Sequence, residues 1–162
     1  MTSAHEPCGS CHHQPFSFTD SPDQRLSTGV TGLKTRRNSM VLFNLAWQEF
    51  FFWDGRTSSL EEQSLHPIKD PVELNNDLPT VISRLENDSI YPGMFKAAFG
   101  SNKITEDRLA KAIAQFERTI VSANSKFDRV VRLEQESFTP AEQRGILICT
   151  RMKRGTVFTA MV

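Results

Sequence analysis

The stretch Pro7-Cys8-Gly9-Ser10-Cys11-His12-His13 gathers thiols and imidazoles into one short run and holds two of the three cysteines in the chain. Two thiols at C-x-x-C spacing can cycle between dithiol and disulfide, but that chemistry is read from a C-x-x-C beside a βαβ pattern, which this sequence lacks. A structural zinc needs a second pair of ligands, and His5, His13, His66 and Cys149 do not stand at the close spacing such pairs keep. C-x-x-C-H matches the attachment motif of c-type haem, in which both thiols add to the porphyrin vinyl groups while the next His turns its imidazole toward the iron. Cysteines three apart on a helical turn lie along one edge of the macrocycle, which directs the following residue under the metal. On that reading Cys8 and Cys11 are the thioether residues, His12 is the iron ligand, and His13 faces solvent.

The elements that must hold such a site are helical. Residues 2–40 are rich in Ser, Thr, Pro, Gly and Asp and read as loop, apart from a short helix around the cysteines. A short buried helix is expected over residues 41–47, leading into the aromatic run Phe50-Phe51-Phe52-Trp53, read as core, before Asp54-Gly55 turns the chain. Ser58 or Ser59 caps a helix that Pro67 and Pro71 end, Asp77 caps another through Leu85, and a third around Met94 and Phe95 stops at Gly100. The clearest helix opens at Thr105, with Glu106 and Asp107 in its first turn and Leu109, Ile113, Phe116 and Ile120 on one face. Thr139-Pro140-Ala141-Glu142 opens a last one. Strand-like alternation is scarce, and the expected class is all-α.

The chain has 162 residues, of which 38% are apolar and 23% charged, with Lys+Arg and Asp+Glu balanced at 19 each. That suits one globular domain with a piece of a second. Balanced charge gives no long-range attraction for nucleic acid. No apolar run approaches the roughly 20 residues that span a bilayer. The opening MTSAHEP has neither the basic nor the apolar region of an export signal.

Several stretches in order resemble one family, the bacterial di-haem cytochrome c peroxidases and their relatives of the MauG type. CGSCHHQPFSFTD is similar to CxSCHxPxxxFTD, and LSTGVTGLKTRRNSMVLFNLA to SxGxxGxxxxRNxPxLxNxA. FFFWDGRTSSLEEQSLHPIKDPVELNN is similar to FFWDGRxxSLExQxxxPIxxPxEMN, and FTPAEQRGILI to the LTxxExRGLxLF that opens the family's second haem domain. The resemblance implies a cytochrome c-like domain over residues 1–135, carrying one covalent haem c, and the start of a second over residues 136–162.

By the same resemblance Glu73 is the acid–base group for hydrogen peroxide, Gln63 its companion, Pro67 a shaper of their pocket, and Trp53 an indole on the electron path between haems. Read from the residues alone, Glu73 caps a turn and Gln63 is a solvated helix residue. A carboxylate suits the role the family implies, since it can accept a proton from peroxide and return it to the leaving oxygen. Asn38 is implied as a ligand of calcium in the intact enzyme. Some members close the iron's sixth position with a His that follows the motif; residues 27–32 contain none, which implies an open site. Met40 and Met94 could ligate iron, as in an electron-transfer cytochrome, although methionine among apolar residues is more often core.

Where members carry a second C-x-x-C-H, this chain has Cys149 with Met152 and Lys153 in place of Cys and His, and the family's helix before the first haem is missing ahead of Cys8. A piece of a longer enzyme is therefore expected: a haem peroxidase working in the periplasm, drawing electrons from a small cytochrome c or copper protein, and a homodimer when intact. The alternatives are a mono-haem electron carrier without turnover and a non-functional remnant.

Overall fold

The computed structural model describes residues 7–151, with side chains through Cys149. These residues form helices and turns, with only isolated β-bridges, so the all-α expectation is met. His5 and the Met152 and Lys153 positions lie outside the described residues. Packing divides the chain into two units, Met1–Ile120 and Val121–Val162.

In the first unit the cysteine segment is a single tight turn, Cys8–Ser10, and Gln14–Phe16 and Leu45–Trp47 are turns of the same kind. Four helices follow: α1 (Leu60–Lys69), α2 (Leu78–Glu86), α3 (Tyr91–Phe99) and α4 (Glu106–Thr119). Ser59 caps α1 through the Glu62 amide, Asp77 caps α2 through Thr80, and Thr105 caps α4 through Arg108. Each cap satisfies an amide that the helix start leaves open. Gly100 ends α3 at φ 76°.

Pro67 does not end α1. It sits inside the helix, which continues to Lys69. Near a C-terminus its missing N–H removes one hydrogen bond, while the Asp70 amide still reaches the His66 carbonyl at 3.0 Å.

Helices α1 and α4 pack together and carry the core. Leu45, Phe51, Leu60 and Ala114 form one cluster, with Leu42 against it. Ile68, Leu78 and Leu109 form another, with Leu65, Val81 and Ile113 beside them. The buried face of α4 is thus Leu109, Ala110, Ala114 and Glu117, whereas Phe116 is 64% exposed. The expected face was rotated: small Ala side chains let α4 approach α1 closely, and Phe116 falls on the far side.

The aromatic run is also not uniformly core. Phe51 is buried, Phe52 is half-buried, and Phe50 and Trp53 are exposed. The Asp54-Gly55 reversal pairs Phe51 with Thr57 in a bridge, which turns Phe51 inward and its neighbour Phe50 outward. The helix expected over residues 41–47 reduces to the Leu45–Trp47 turn, with only Leu45 buried.

The second unit contains α5 (Lys126–Val131) and α6 (Pro140–Arg151). Ser125 and Asp128 form a reciprocal capping box on α5, and Lys126 joins it to Glu142 of α6 at 2.7 Å. None of its residues through 149 is buried. No described helix is long and apolar enough to cross a membrane.

Candidate functional site

The turn at Cys8 places both thiols and His12 on one short arc, since the Cys11 and His12 amides both donate to the Cys8 carbonyl, at 3.3 and 3.1 Å. The His12 ring is set by its Nδ1, 2.6 Å from the Phe18 carbonyl oxygen. A carbonyl only accepts, so Nδ1 carries the proton and Nε2 is left as the nitrogen for a metal. Burial holds the His12 pKa below its ordinary value, against the backbone of Phe18 and Met40, which favours the charged ring. The imidazole is therefore neutral and oriented, the state a metal ligand needs.

The segment is tied down from behind. Ser39 Oγ donates to the Cys11 carbonyl at 2.9 Å and accepts from the Asp20 amide at 2.9 Å. His13 keeps 38% of its side chain exposed, with Nε2 3.7 Å from the buried Asp20 carboxylate.

A narrow apolar cleft is lined by Met40, Val41, Leu42, Leu45, Gln48, Phe51, Phe52 and Gln63. Gln63 projects from α1 into this lining, and its buried Oε1 has no hydrogen-bond partner. An unpaired buried amide oxygen costs about 1–3 kcal/mol, so an apolar cleft that keeps one is suited to a polar guest. The free thiols and the oriented imidazole of this one turn are the donor set that would hold a haem c through Cys8, Cys11 and His12.

Glu73 follows α1 in a loop built on Asp70. The Asp70 carboxylate accepts from the Val72 amide at 2.8 Å, and the Asp70 carbonyl from Glu73 and Asn75 at 3.1 and 2.9 Å. The side chain is half-buried. Desolvation, and then the Asp70 charge, push its pKa up, while Arg56 pulls it down. Arg56 lies 3.4 Å over the Phe52 ring, so the aromatic that lines the cleft also carries the cation facing Glu73. His66 meets the same Phe52 edge-on at 5.4 Å.

Trp53 and Asn38 meet each other. The exposed Trp53 donates its indole N–H to the Asn38 carbonyl at 2.8 Å. The Asn38 amide donates to the carbonyls of Gln24 and Arg25, at 3.4 and 3.2 Å. No cluster of three or more His, Cys, Asp or Glu fit for a metal ion stands among the described residues. Met94 is exposed, whereas Met40 lines the cleft.

Sequence reasoning missed Glu117. It is 8% exposed on α4, with Oε2 unpartnered, and its charge reaches the Cys8 thiol. Burial pushes its pKa to about 7, with Arg118 opposing and Glu61 adding. The Cys8 thiol is itself raised, chiefly by desolvation and then by Glu117 and Cys11. The signal was present, because Glu117 stands four residues after Ile113 and eight after Leu109 on the packed stripe.

Comparison with known proteins finds one family. A family model described as di-haem cytochrome c peroxidase matches residues 2–136. The methylamine utilization protein MauG of Methylophilus methylotrophus is 35% identical over 147 residues, covering 87% of this chain and 42% of that protein. A cytochrome c551 peroxidase of Nitrosomonas europaea is 33% identical over 141 residues, covering 85% of this chain and 41% of that one. Among solved structures, a MauG-like protein associated with microbial copper homeostasis superposes with a TM-score of 0.76 at 33% identity, covering 86% of this chain and 41% of that one. The chain spans about two-fifths of the length of the curated relatives it matches.

Proposed function

The chain belongs to the di-haem cytochrome c peroxidase family, with its all-α cytochrome c-like fold, and from that premise we propose that it is the peroxide-handling haem domain of a longer periplasmic enzyme. That enzyme reduces hydrogen peroxide to water with electrons from a small cytochrome c or copper protein. The observation that carries the reading is His12: a neutral imidazole, locked by the Phe18 carbonyl, directly beside the thiols that would anchor haem c. Haem c, when bound, supplies the redox-active iron at which the O–O bond of peroxide is broken.

The chain's own residues do the rest. Cys8 and Cys11 hold the cofactor by thioether bonds, and His12 offers Nε2. Burial raises the Glu73 pKa above its ordinary value, which makes the carboxylate a stronger base, able to take the first proton from peroxide and return it to the departing oxygen. Gln63 presents an unpaired amide oxygen to the cleft and orients a hydrogen-bonding guest without transferring a proton. Pro67, one turn further along α1, has its carbonyl bonded to the Leu74 amide at 3.2 Å and so braces the Glu73 loop. Trp53 keeps an exposed indole for an electron path toward a further haem, and Asn38 a calcium role in the intact, homodimeric enzyme.

The test is single-turnover reaction of the haem-loaded chain with peroxide. Glu73→Gln keeps the shape of the side chain and removes the base, so the rate should fall by roughly 10²–10⁴ with haem content unchanged. Gln63→Ala should cost less. A Glu73→Gln variant as fast as the parent would leave the carboxylate structural. Met40 in the cleft wall supports a second reading, a mono-haem electron carrier, in which its thioether closes the iron.

A further inference from the structure

We infer that residues 27–35 form a fixed support for the Glu73 loop, and that Gly29 is the positioning residue that lets the two meet. The inference rests on the acid–base role proposed for Glu73. At Gly29 the backbone of the second loop comes so close that a Cβ would collide with the Val72 carbonyl oxygen. It would also lie 2.6 Å from the Glu73 carbonyl oxygen and 2.7 Å from the Val72 carbonyl carbon. Real Cβ atoms do not come within 3.0 Å of other heavy atoms. Every neighbour here is main chain, so no rotamer change relieves the contact. The next residue completes the junction, because the Val30 amide donates to the Glu73 carbonyl at 2.9 Å. Thr31 Oγ1 adds a longer contact of 3.4 Å to the Pro71 carbonyl.

Both sides of this junction are braced independently. The supporting loop is closed by the Thr28–Lys34 bridge, by the Thr35 amide on the Ser27 carbonyl at 2.9 Å, and by Lys34 Nζ on Thr28 Oγ1 at 2.6 Å. Ser27 at its base is 1% exposed. The Glu73 loop is braced from below by Asp70 and Pro67. Glu73 is thus gripped by its own carbonyl from one side and by its own amide from the other, which fixes the direction in which its side chain leaves the main chain. A methyl group at position 29 must push the Val72–Glu73 peptide away from this seat, and the carboxylate moves with it. A displacement near 1 Å is enough to cost on the order of a hundredfold in a positioned reaction.

The experiment compares the haem-loaded parent, Gly29→Ala, Glu73→Gln and the double variant in the single-turnover peroxide reaction. Gly29→Ala should slow the reaction roughly tenfold to a hundredfold, and should cost nothing further once Glu73 is already Gln. Independent, multiplicative losses would mean a general loosening of the fold and would overturn the inference. So would a Gly29→Ala of parental rate beside a slow Glu73→Gln. A Glu73→Gln as fast as the parent removes the acid–base reading and this inference with it. A second measurement needs no variant: the Val30 amide of the parent should exchange with deuterium on the order of a hundredfold more slowly than an open amide. Exchange at the open rate would overturn the inference even if Gly29→Ala fails to fold.

Discussion

Replacing Glu117 by Gln should flatten the decline in stability that the parent shows as pH rises through neutrality. Glu117 is almost fully buried on α4, its Oε2 meets no partner, and its pKa is pushed from 4.5 to about 7, chiefly by burial. The folded state therefore holds a proton that the unfolded chain has released between those two values. Stability linked to this group is fully present below pH 4.5 and is lost as pH climbs through about 7. At about 1.36 kcal/mol per pH unit, that interval corresponds to about 3 kcal/mol between pH 4 and pH 8. The Glu61–Arg118 pair alongside, with contacts of 2.7 and 3.0 Å, does not cancel this effect, because its two charges largely neutralise each other. Urea unfolding followed by circular dichroism at several pH values measures the effect. Urea leaves charge interactions unscreened, and all other titrating groups cancel in the parent-minus-variant difference. The absolute stability of Glu117→Gln carries the cost of a buried amide, but its slope against pH does not. Parallel curves for parent and variant would show that Glu117 is solvated or paired, and would refute the reasoning.

Co-expression with a cytochrome c maturation system and an export signal should give haem that survives acid–acetone extraction. Cys8→Ser and Cys11→Ser should each weaken that retention, and fully extractable haem in the parent would count against covalent attachment. Residues 27–32 contain no His, so the ferric haem protein should be mainly high-spin by electron paramagnetic resonance. A purely low-spin spectrum would place a second protein ligand on the iron and favour the carrier reading.

The features that the sequence determined by itself are those whose physics is local. Ser59, Asp77 and Thr105 cap helices because a side-chain oxygen needs only to reach an amide three residues on. The C-x-x-C-H run carries its spacing within a single turn, and Gly100 alone among its neighbours enters the left-handed region at no cost. Pro67 misled because the penalty for a proline in a helix depends on how many hydrogen bonds still lie ahead of it, and here few do. The face of α4 was decided by its partner. Periodicity put Leu109, Ile113, Phe116 and Ile120 on one face, and the approach of α1 buried Leu109 with Ala110, Ala114 and Glu117 instead, leaving Phe116 outside. Tertiary structure alone decided that Glu117 would be pushed to about 7, since desolvation depends on what packs around a carboxyl and not on its neighbours in sequence. The same holds for Gly29, whose open flank matters only because the fold brings the Val72 and Glu73 carbonyls, distant along the chain, against it.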